Sequence, residues 1–550
     1  MMQTGINGPE TVLVLECRGA PEVDSNGLPV AGYMVESYDF PADVENLALR
    51  VGLQAAWHPD RSVLTTAAAR WSYNQFWSAV CRVAEEVRNC AGFTPGDRIV
   101  LQLPNSIDYL AAFYGVLLAD GVVVPLPPEA EPASVQRIVD STQARAVILS
   151  AKSRRALVLW SGRSTCSVWL EESAEWLVDR PRREGNDLAA IFFTAGSTGT
   201  PKGVMLSHRN LLANAESIQQ YLEIDGRERP LCVLPFYHAF GNSVLQSHLL
   251  AGAELILDGS TVFPETLLAA IRRHQATSLA AVPDLYRVLL DRSSLGQESL
   301  PSLKTMTVAG GALRKETALA VAQRIAPARM VVMYGQTEAT ARLAYVPHDE
   351  LFDRPDGCIG RAIPGVELRV VGDDDQPVAA GETGELVARG ENIMLGYWQD
   401  ETATGEKLQN GWLRTGDLAS QDEAGWICHR GRANSILKIA GFRVQPADLE
   451  EFALRRLSAA GAVAVPFESP RVGTRLALFL CLSKASAGDA TATLSPLEMV
   501  ARCRAELPRA LVPDLIRVIS DFPLNPAMKV DRLLLSQLAQ QDSTHQSVSA

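Results

Sequence analysis

The chain is 550 residues long, 47% hydrophobic, and carries a formal net charge of −12. That length exceeds what one hydrophobic core supports, so two or more domains are expected. The acidic balance argues against nucleic acid as the main partner, while leaving room for local loops that bind anionic nucleotides.

The opening residues, MMQTGINGPETVLVL, have no basic segment followed by an apolar core, so no secretory signal is expected. Residues 1 to about 50 carry little pattern and read as an extension of the main domain. Tyr73 to Cys90 has helical spacing, with Phe76, Val80, Val83 and Val87 on one face. Arg98 to Leu103 reads as a buried strand, and Asn105 is placed to cap the helix after it. Tyr109 to Leu126 is strongly apolar but broken by Asp120-Gly121, which predicts a buried helix and a strand, not a membrane span. Further strands are expected at Val122 to Leu126, Ala146 to Leu149, Leu188 to Phe193, Leu231 to Leu234, Glu254 to Leu257, Ser278 to Val282 and Thr305 to Val308. Helical patterns fit between most of them, which predicts α/β layers with largely parallel sheets.

After about Ile359, Gly-rich turns such as Val371-Gly372-Asp373-Asp374 separate short strands, and a more antiparallel, β-barrel-like portion is expected. A smaller unit of α+β character follows. The predicted organisation is an α/β fold with a large N-terminal domain over 1–432, a small mobile C-terminal domain over 433–535, and a disordered tail over 536–550. The boundary falls near Ala433-Asn434. The nine cysteines are scattered with no C-x-x-C pair, as in a protein with reduced, cytoplasmic thiols and no zinc site.

The strongest local signal is IFFTAGSTGTPKGV, Ile191 to Val204. An apolar strand runs into small and hydroxyl residues: Thr194, Ala195, Gly196, Ser197, Thr198 and Gly199, with Lys202 shortly after. Glycines let backbone approach an anion, successive N–H groups cradle phosphate oxygens, and the lysine adds charge. A solvated Gly-rich turn is the plain alternative, but the density of donors straight after a buried strand favours phosphate. A Walker A loop is a poor match, because Pro201 precedes the lysine and Gly203 follows it.

The segment resembles the signature loop of the adenylate-forming superfamily, which includes acyl-CoA synthetases, fatty acyl-AMP ligases, luciferase and peptide-synthetase adenylation domains. Similar motifs follow in the family's order: AGGAL (Ala309 to Leu313), YGQTE (Tyr334 to Glu338), GWLRTGD (Gly411 to Asp417), GRANSILKIAG (Gly431 to Gly441) and NPAMKVDR (Asn525 to Arg532). The resemblance runs from about residue 60 to about residue 535. It implies ATP-dependent conversion of a carboxylic acid to an acyl-adenylate, with Mg²⁺, and then transfer to a thiol. It assigns adenine stacking to Tyr334, space for the base to Gly311 and Ala312, and nucleotide contacts to Gly335 and Gln336. Thr337 falls to the α-phosphate, Glu338 to the metal, Asp417 and Arg432 to the ribose, and Lys529 to catalysis.

The chemistry of these residues agrees with those roles. An aromatic face suits a purine, a carboxylate is a hard ligand for Mg²⁺, and an ammonium offsets charge crowding between carboxylate and α-phosphate. Two positions depart from the family: Met528 stands where glycine is usual, and Asn434 occupies the hinge position commonly held by Asp or Lys.

PFYHAFGNS, Pro235 to Ser243, resembles the family's acid-pocket motif, which implies that His238, Phe240, Gly241 and Gly310 border the acid. Amino-acid-activating relatives place Asp where Gly241 stands. A buried ammonium without a partner is costly, so a fatty or aryl acid is expected. Lys438 and Gly441 lie in the segment that resembles the thiol-accepting one. Coenzyme A is preferred over a carrier protein's phosphopantetheine as acceptor.

Overall fold

The computed structural model describes residues 14–15, 44–150, 156–160, 165–169, 176–177, 181–194, 201–432, 437–439, 442–457, 459–469, 473–482, 494–523 and 530–546. By internal contacts the chain divides into two units, Met1–Arg369 with Val387–Arg414, and Val370–Leu386 with Thr415–Ala550.

The first unit contains two large sheets and a two-stranded one, Val14–Leu15 with Trp176–Leu177. In one, the strand order is Gly396–Tyr397, Lys202–Ser207, Leu188–Thr194, Val122–Leu126, Arg98–Gln102, Ala146–Ser150, Ala156–Trp160, Thr165–Trp169. Its central strands are parallel, while Leu188–Thr194 and Lys202–Ser207 form an antiparallel hairpin. The other runs Cys358–Ala362, Ala344–Val346, Arg329–Tyr334, Thr305–Val308, Ser278–Ala281, Pro230–Leu231, Leu255–Leu257, Ser62–Thr66, Arg70–Ser72. From Arg329–Tyr334 to Leu255–Leu257 each neighbour is parallel. The connections leaving those strands therefore emerge at one carboxyl edge, where α/β sheets bind ligands.

The helices follow from their spacing and caps. Tyr73–Arg88 starts at a capping box, Ser72 with Gln75, and buries Phe76, Val80, Val83 and Val87. Ile107–Leu118 is buried on nearly every side, as expected for a helix that is apolar all round. Its cap is Ser106, whose side chain accepts from the Tyr109 N–H at 3.2 Å. Asn105, expected to be the cap, is used elsewhere. It donates to the Leu234 carbonyl and accepts from the Phe236 N–H, both at 2.8 Å, and so holds the loop that leads to His238. Seven described cysteines are free thiols, and no helix among the described residues is long and apolar enough to cross a membrane.

In the second unit, Trp412–Gln421 and Ile427–Arg432 pair antiparallel, with Asp417 opposite Arg432. Ala459–Ser469, Gly473–Leu482 and Leu515–Val518 form a mixed sheet. Helix Pro446–Arg456 packs Leu449 and Ala453 into its core. The expected step at Ala433-Asn434 is not where the compact units divide. Asp417 to Gln421 pairs with Ile427–Arg432, and both segments group with the second unit. The tail expected to be disordered is largely helical, Arg532–Gln546. Leu535 and Ala539, four residues apart, are fully buried against Val463, Val465 and Phe479, and Gln540 donates to the Glu468 carbonyl at 2.7 Å. Leu535, Leu538 and Ala539 recur at helical spacing ahead of a polar end. The extension also ends earlier than expected, since helix Leu47–Trp57 begins within it, capped by Asn46.

Candidate active site

Three connections at the carboxyl edge of the second sheet carry motif residues. After Pro230–Leu231 the chain reaches His238, the residue preceding helix Ala239–Leu250, where His238 accepts at its carbonyl from the Asn242 N–H at 2.8 Å. After Thr305–Val308 come Gly310, Gly311 and Ala312, all exposed. Gly310 has φ +86°, in the left-handed region, while a Cβ on Gly311 would meet only Pro283 at ordinary contact distance. After Arg329–Tyr334 comes the turn Gly335 to Arg342. A buried cluster of Ala309, Val331 and Met333, with Phe240 and Tyr345 against it, ties the three together beneath the surface.

The Gly335 turn is tightly built. A Cβ on Gly335 would lie 1.9 Å from the Ala341 carbonyl oxygen, so only glycine fits. Ala339 and Ala341 donate back to the Gln336 carbonyl, and Thr340 to the Thr337 carbonyl. Thr340 and Ala341 have φ of 55° and 104°, conformations that L-residues avoid unless their surroundings impose them. Those surroundings are supplied by residues 392–397. Asn392 donates to the Ala339 and Arg342 carbonyls, Thr340 Oγ1 donates to the Asn392 carbonyl at 2.6 Å, and the Met394 N–H donates to the Glu338 carbonyl. The Gln336 side-chain nitrogen is buried without a hydrogen-bond partner, an open donor at the turn.

The phosphate-loop hairpin meets this turn through a residue that the motif reading missed. Thr194 Oγ1 donates to the Lys202 carbonyl at 3.5 Å across the base of the hairpin. The Lys202 ammonium lies 4.9 Å from the centre of the Tyr397 ring, a cation–π contact, and the Tyr397 hydroxyl donates to Glu338 Oε1 at 2.8 Å. Burial and the adjacent Glu338 carboxylate push the Tyr397 phenol above its usual range, so it remains a donor. The signal in the sequence was Gly396-Tyr397-Trp398, an aromatic pair after an apolar run. Strand Gly396–Tyr397 pairs with Lys202–Ser207, setting Tyr397 opposite Val204, with Lys202 two residues along the strand.

Gly241 also meets a packing demand. A Cβ there would lie 2.0 Å from the Pro235 carbonyl oxygen, so the glycine permits close packing of the helix start on its own loop. In the second unit, buried Asp417 accepts from Arg432 Nε at 3.1 Å and lies 3.4 Å from His429 Nε2. Ala195, Gly196, Ser197, Thr198, Gly199, Asn434, Gly441 and Lys529 lie outside the described residues. Lys438 belongs to strand Leu437–Ile439, with its side chain likewise outside them.

No cluster of three or more His, Cys, Asp or Glu side chains suited to a metal occurs among the described residues. A lone carboxylate such as Glu338 fits a Mg²⁺ that arrives on nucleotide phosphates and keeps most of its waters.

The residues gathered at this carboxyl edge belong to an α/β fold of the kind that binds ligands there. A family model described as AMP-binding enzyme matches residues 53–398, more than half of the chain, and the chain belongs to that family. It is 28% identical over 491 residues to a long-chain-fatty-acid–CoA ligase of Escherichia coli O157:H7, covering 80% of this chain and 85% of that one. It is 30% identical over 516 residues to a sulfoacetate–CoA ligase of Cupriavidus necator, covering 90% and 98%. Its fold is similar to that of ATP-bound MatB from Rhodopseudomonas palustris, with a TM-score of 0.79 at 23% identity over 91% of this chain and 100% of that one. The protein is an AMP-forming acid–thiol ligase.

Proposed function

We propose that the enzyme activates a fatty or aryl carboxylic acid with ATP and passes the acyl group to coenzyme A, a carrier protein being the alternative acceptor. The observation that carries this reading is the chain of contacts from Lys202 through Tyr397 to Glu338, which fixes a cation and a carboxylate beside the donor-rich hairpin. The two ligases named above take different acids but share coenzyme A as acceptor, which supports that choice.

In the first half-reaction a carboxylate oxygen attacks the α-phosphorus of ATP. The bond to the bridging oxygen breaks, and pyrophosphate leaves. In-line positioning and charge neutralisation carry most of such a rate. Lys202 and the hairpin N–H groups hold the departing phosphates. Thr337 donates to the α-phosphate, and the exposed face over Gly311 and Ala312 receives the base beside Tyr334. Lys529 neutralises the charge between acid and α-phosphate, and Asp417 with Arg432 takes the ribose hydroxyls. Glu338 would hold Mg²⁺, which would supply further charge compensation. In the second half-reaction the thiol sulfur attacks the acyl carbon, AMP leaves, and the thiol proton passes to solvent. Lys438 and Gly441 serve this step after rotation about Asn434. A cytoplasmic setting is part of the same proposal.

The test is product analysis across a panel of acids with and without coenzyme A. AMP and pyrophosphate with acid dependence support the reading, and ADP with orthophosphate sinks it.

A further inference from the structure

Arg342 is the largest fully buried side chain described, 1% exposed. It lines a cavity of about 330 Å³ beneath helices His208–Leu222 and Ala239–Leu250, together with Val244, Ser247, Ala280 and Thr307. Its guanidinium lies 4.2 Å from the centre of the ring of Phe240, which belongs to the acid motif. Its Nη1 meets the thioether sulfur of Met333 at 3.0 Å, a weak acceptor, and its Nε has no hydrogen-bond partner.

The charges around this cavity do not balance. Glu228 pairs with Lys304 at 2.6 Å, Glu223 with Arg329 at 3.2 Å, and Asp225 with Arg227. Those three pairs use every carboxylate lining the cavity. Arg342 is left over, with no carboxylate within ion-pair distance among the described residues. An arginine keeps its charge, and a buried charge without a counter-ion is strongly unfavourable unless something else supplies the anion. Burial lowers the affinity of this guanidinium for its proton, the same cost seen from the proton's side.

We infer that the acid activated by this enzyme carries a second anionic group, a carboxylate or sulfonate, which Arg342 receives beside Phe240 of the acid motif. This rests on the acyl-activating function proposed above and names the class of its substrate. The planar guanidinium offers a fork to two oxygens of one anion. The Phe240 ring braces the guanidinium from one side, which orients it without neutralising it.

The experiment measures acid-dependent ATP–pyrophosphate exchange with matched straight-chain acids of equal length, one unsubstituted and one bearing a terminal carboxylate or sulfonate. The wild-type enzyme is expected to favour the doubly anionic member by on the order of tenfold to a hundredfold in kcat/KM, through KM. Arg342→Met should abolish or invert that preference while its thermal midpoint without ligand holds or rises, since an unpaired buried charge has been removed. Arg342→Lys should keep part of the preference. Equal or better use of unsubstituted acids by the wild type, with the ratio unchanged in Arg342→Met, overturns the inference and leaves the acyl-activating function standing. A sharp drop in the midpoint of Arg342→Met with the ratio unchanged in Arg342→Lys overturns it too, and makes Arg342 a packing residue. Exchange with no acid of either kind overturns the proposed function and this inference together.

Discussion

Gly335→Ala isolates the demand the turn makes on its backbone. The added methyl would sit 1.9 Å from the Ala341 carbonyl oxygen, against roughly 3.3 Å for a close carbon–oxygen contact. The turn must therefore open by roughly 1.4 Å, and Ala341, at φ 104°, has little conformational room to yield. Thr337 and Glu338 lie on the segment that moves. A shift of that order in positioning groups costs on the order of a hundredfold in rate, and overpacking adds about 1–3 kcal/mol of destabilisation. Gly311→Ala is the internal control, since its methyl meets Pro283 at 3.4 Å and asks nothing of the backbone. The assay is ATP–pyrophosphate exchange alongside thermal unfolding. Gly335→Ala should lose both activity and stability, and Gly311→Ala should keep its thermal midpoint. Wild-type exchange in Gly335→Ala would refute the argument that this turn sets the geometry of the site.

Tyr397→Phe keeps the ring under Lys202 but removes the donor to Glu338, worth about 1.5–3 kcal/mol for a charged acceptor, so exchange should fall about tenfold or more with a raised Mg²⁺ requirement; an unchanged Mg²⁺ titration would count against it. Lys529→Ala should slow adenylation about a hundredfold, or on the order of 3 kcal/mol, with ATP binding retained, as read by single-turnover kinetics. Asn434→Pro should spare adenylate formation more than thioester formation, checked by starting the second step from synthetic acyl-adenylate; equal effects on both would place the hinge elsewhere. Stability should fall as pH drops from about 6.5 towards 4, because burial holds His208 and His248 at about 4, below the usual 6.5. Both are neutral in the folded chain and bind protons on unfolding, so their contribution is full above 6.5 and is lost below it. His208 also accepts from the Leu47 N–H through Nδ1, so His208→Asn should flatten that slope in urea melts at pH 5 and pH 7.

The parallel core was legible because its strands are short apolar runs between helical patterns, and Val122–Leu126 and Thr305–Val308 fall where the pattern put them. The strand expected over Leu231 to Leu234 stops at Leu231, since the chain must turn there to be held by Asn105. Asn105 itself illustrates the limit. Its type suits a helix cap, but Ser106 takes that place, and only the tertiary fold reveals the distant backbone that Asn105 binds. Tyr397, Asn392 and Arg342 were missed for the same reason, as their roles lie in contacts far away in sequence. Gly241 was read from its chemistry as the lack of a carboxylate, while the close Pro235 carbonyl that also demands glycine there appears only in the fold. The hairpin strands that flank the glycines and hydroxyls of Ala195 to Gly199 were legible as an apolar run, Leu188–Thr194, and its return, Lys202–Ser207.

The most direct test of the account is the identity of the nucleotide product when purified enzyme, ATP, Mg²⁺ and a panel of acids are incubated with and without coenzyme A. The account predicts acid-dependent AMP and pyrophosphate, with acyl-CoA appearing only when the thiol is present. Acid-dependent ADP and orthophosphate, or no nucleotide cleavage with any acid, would contradict it.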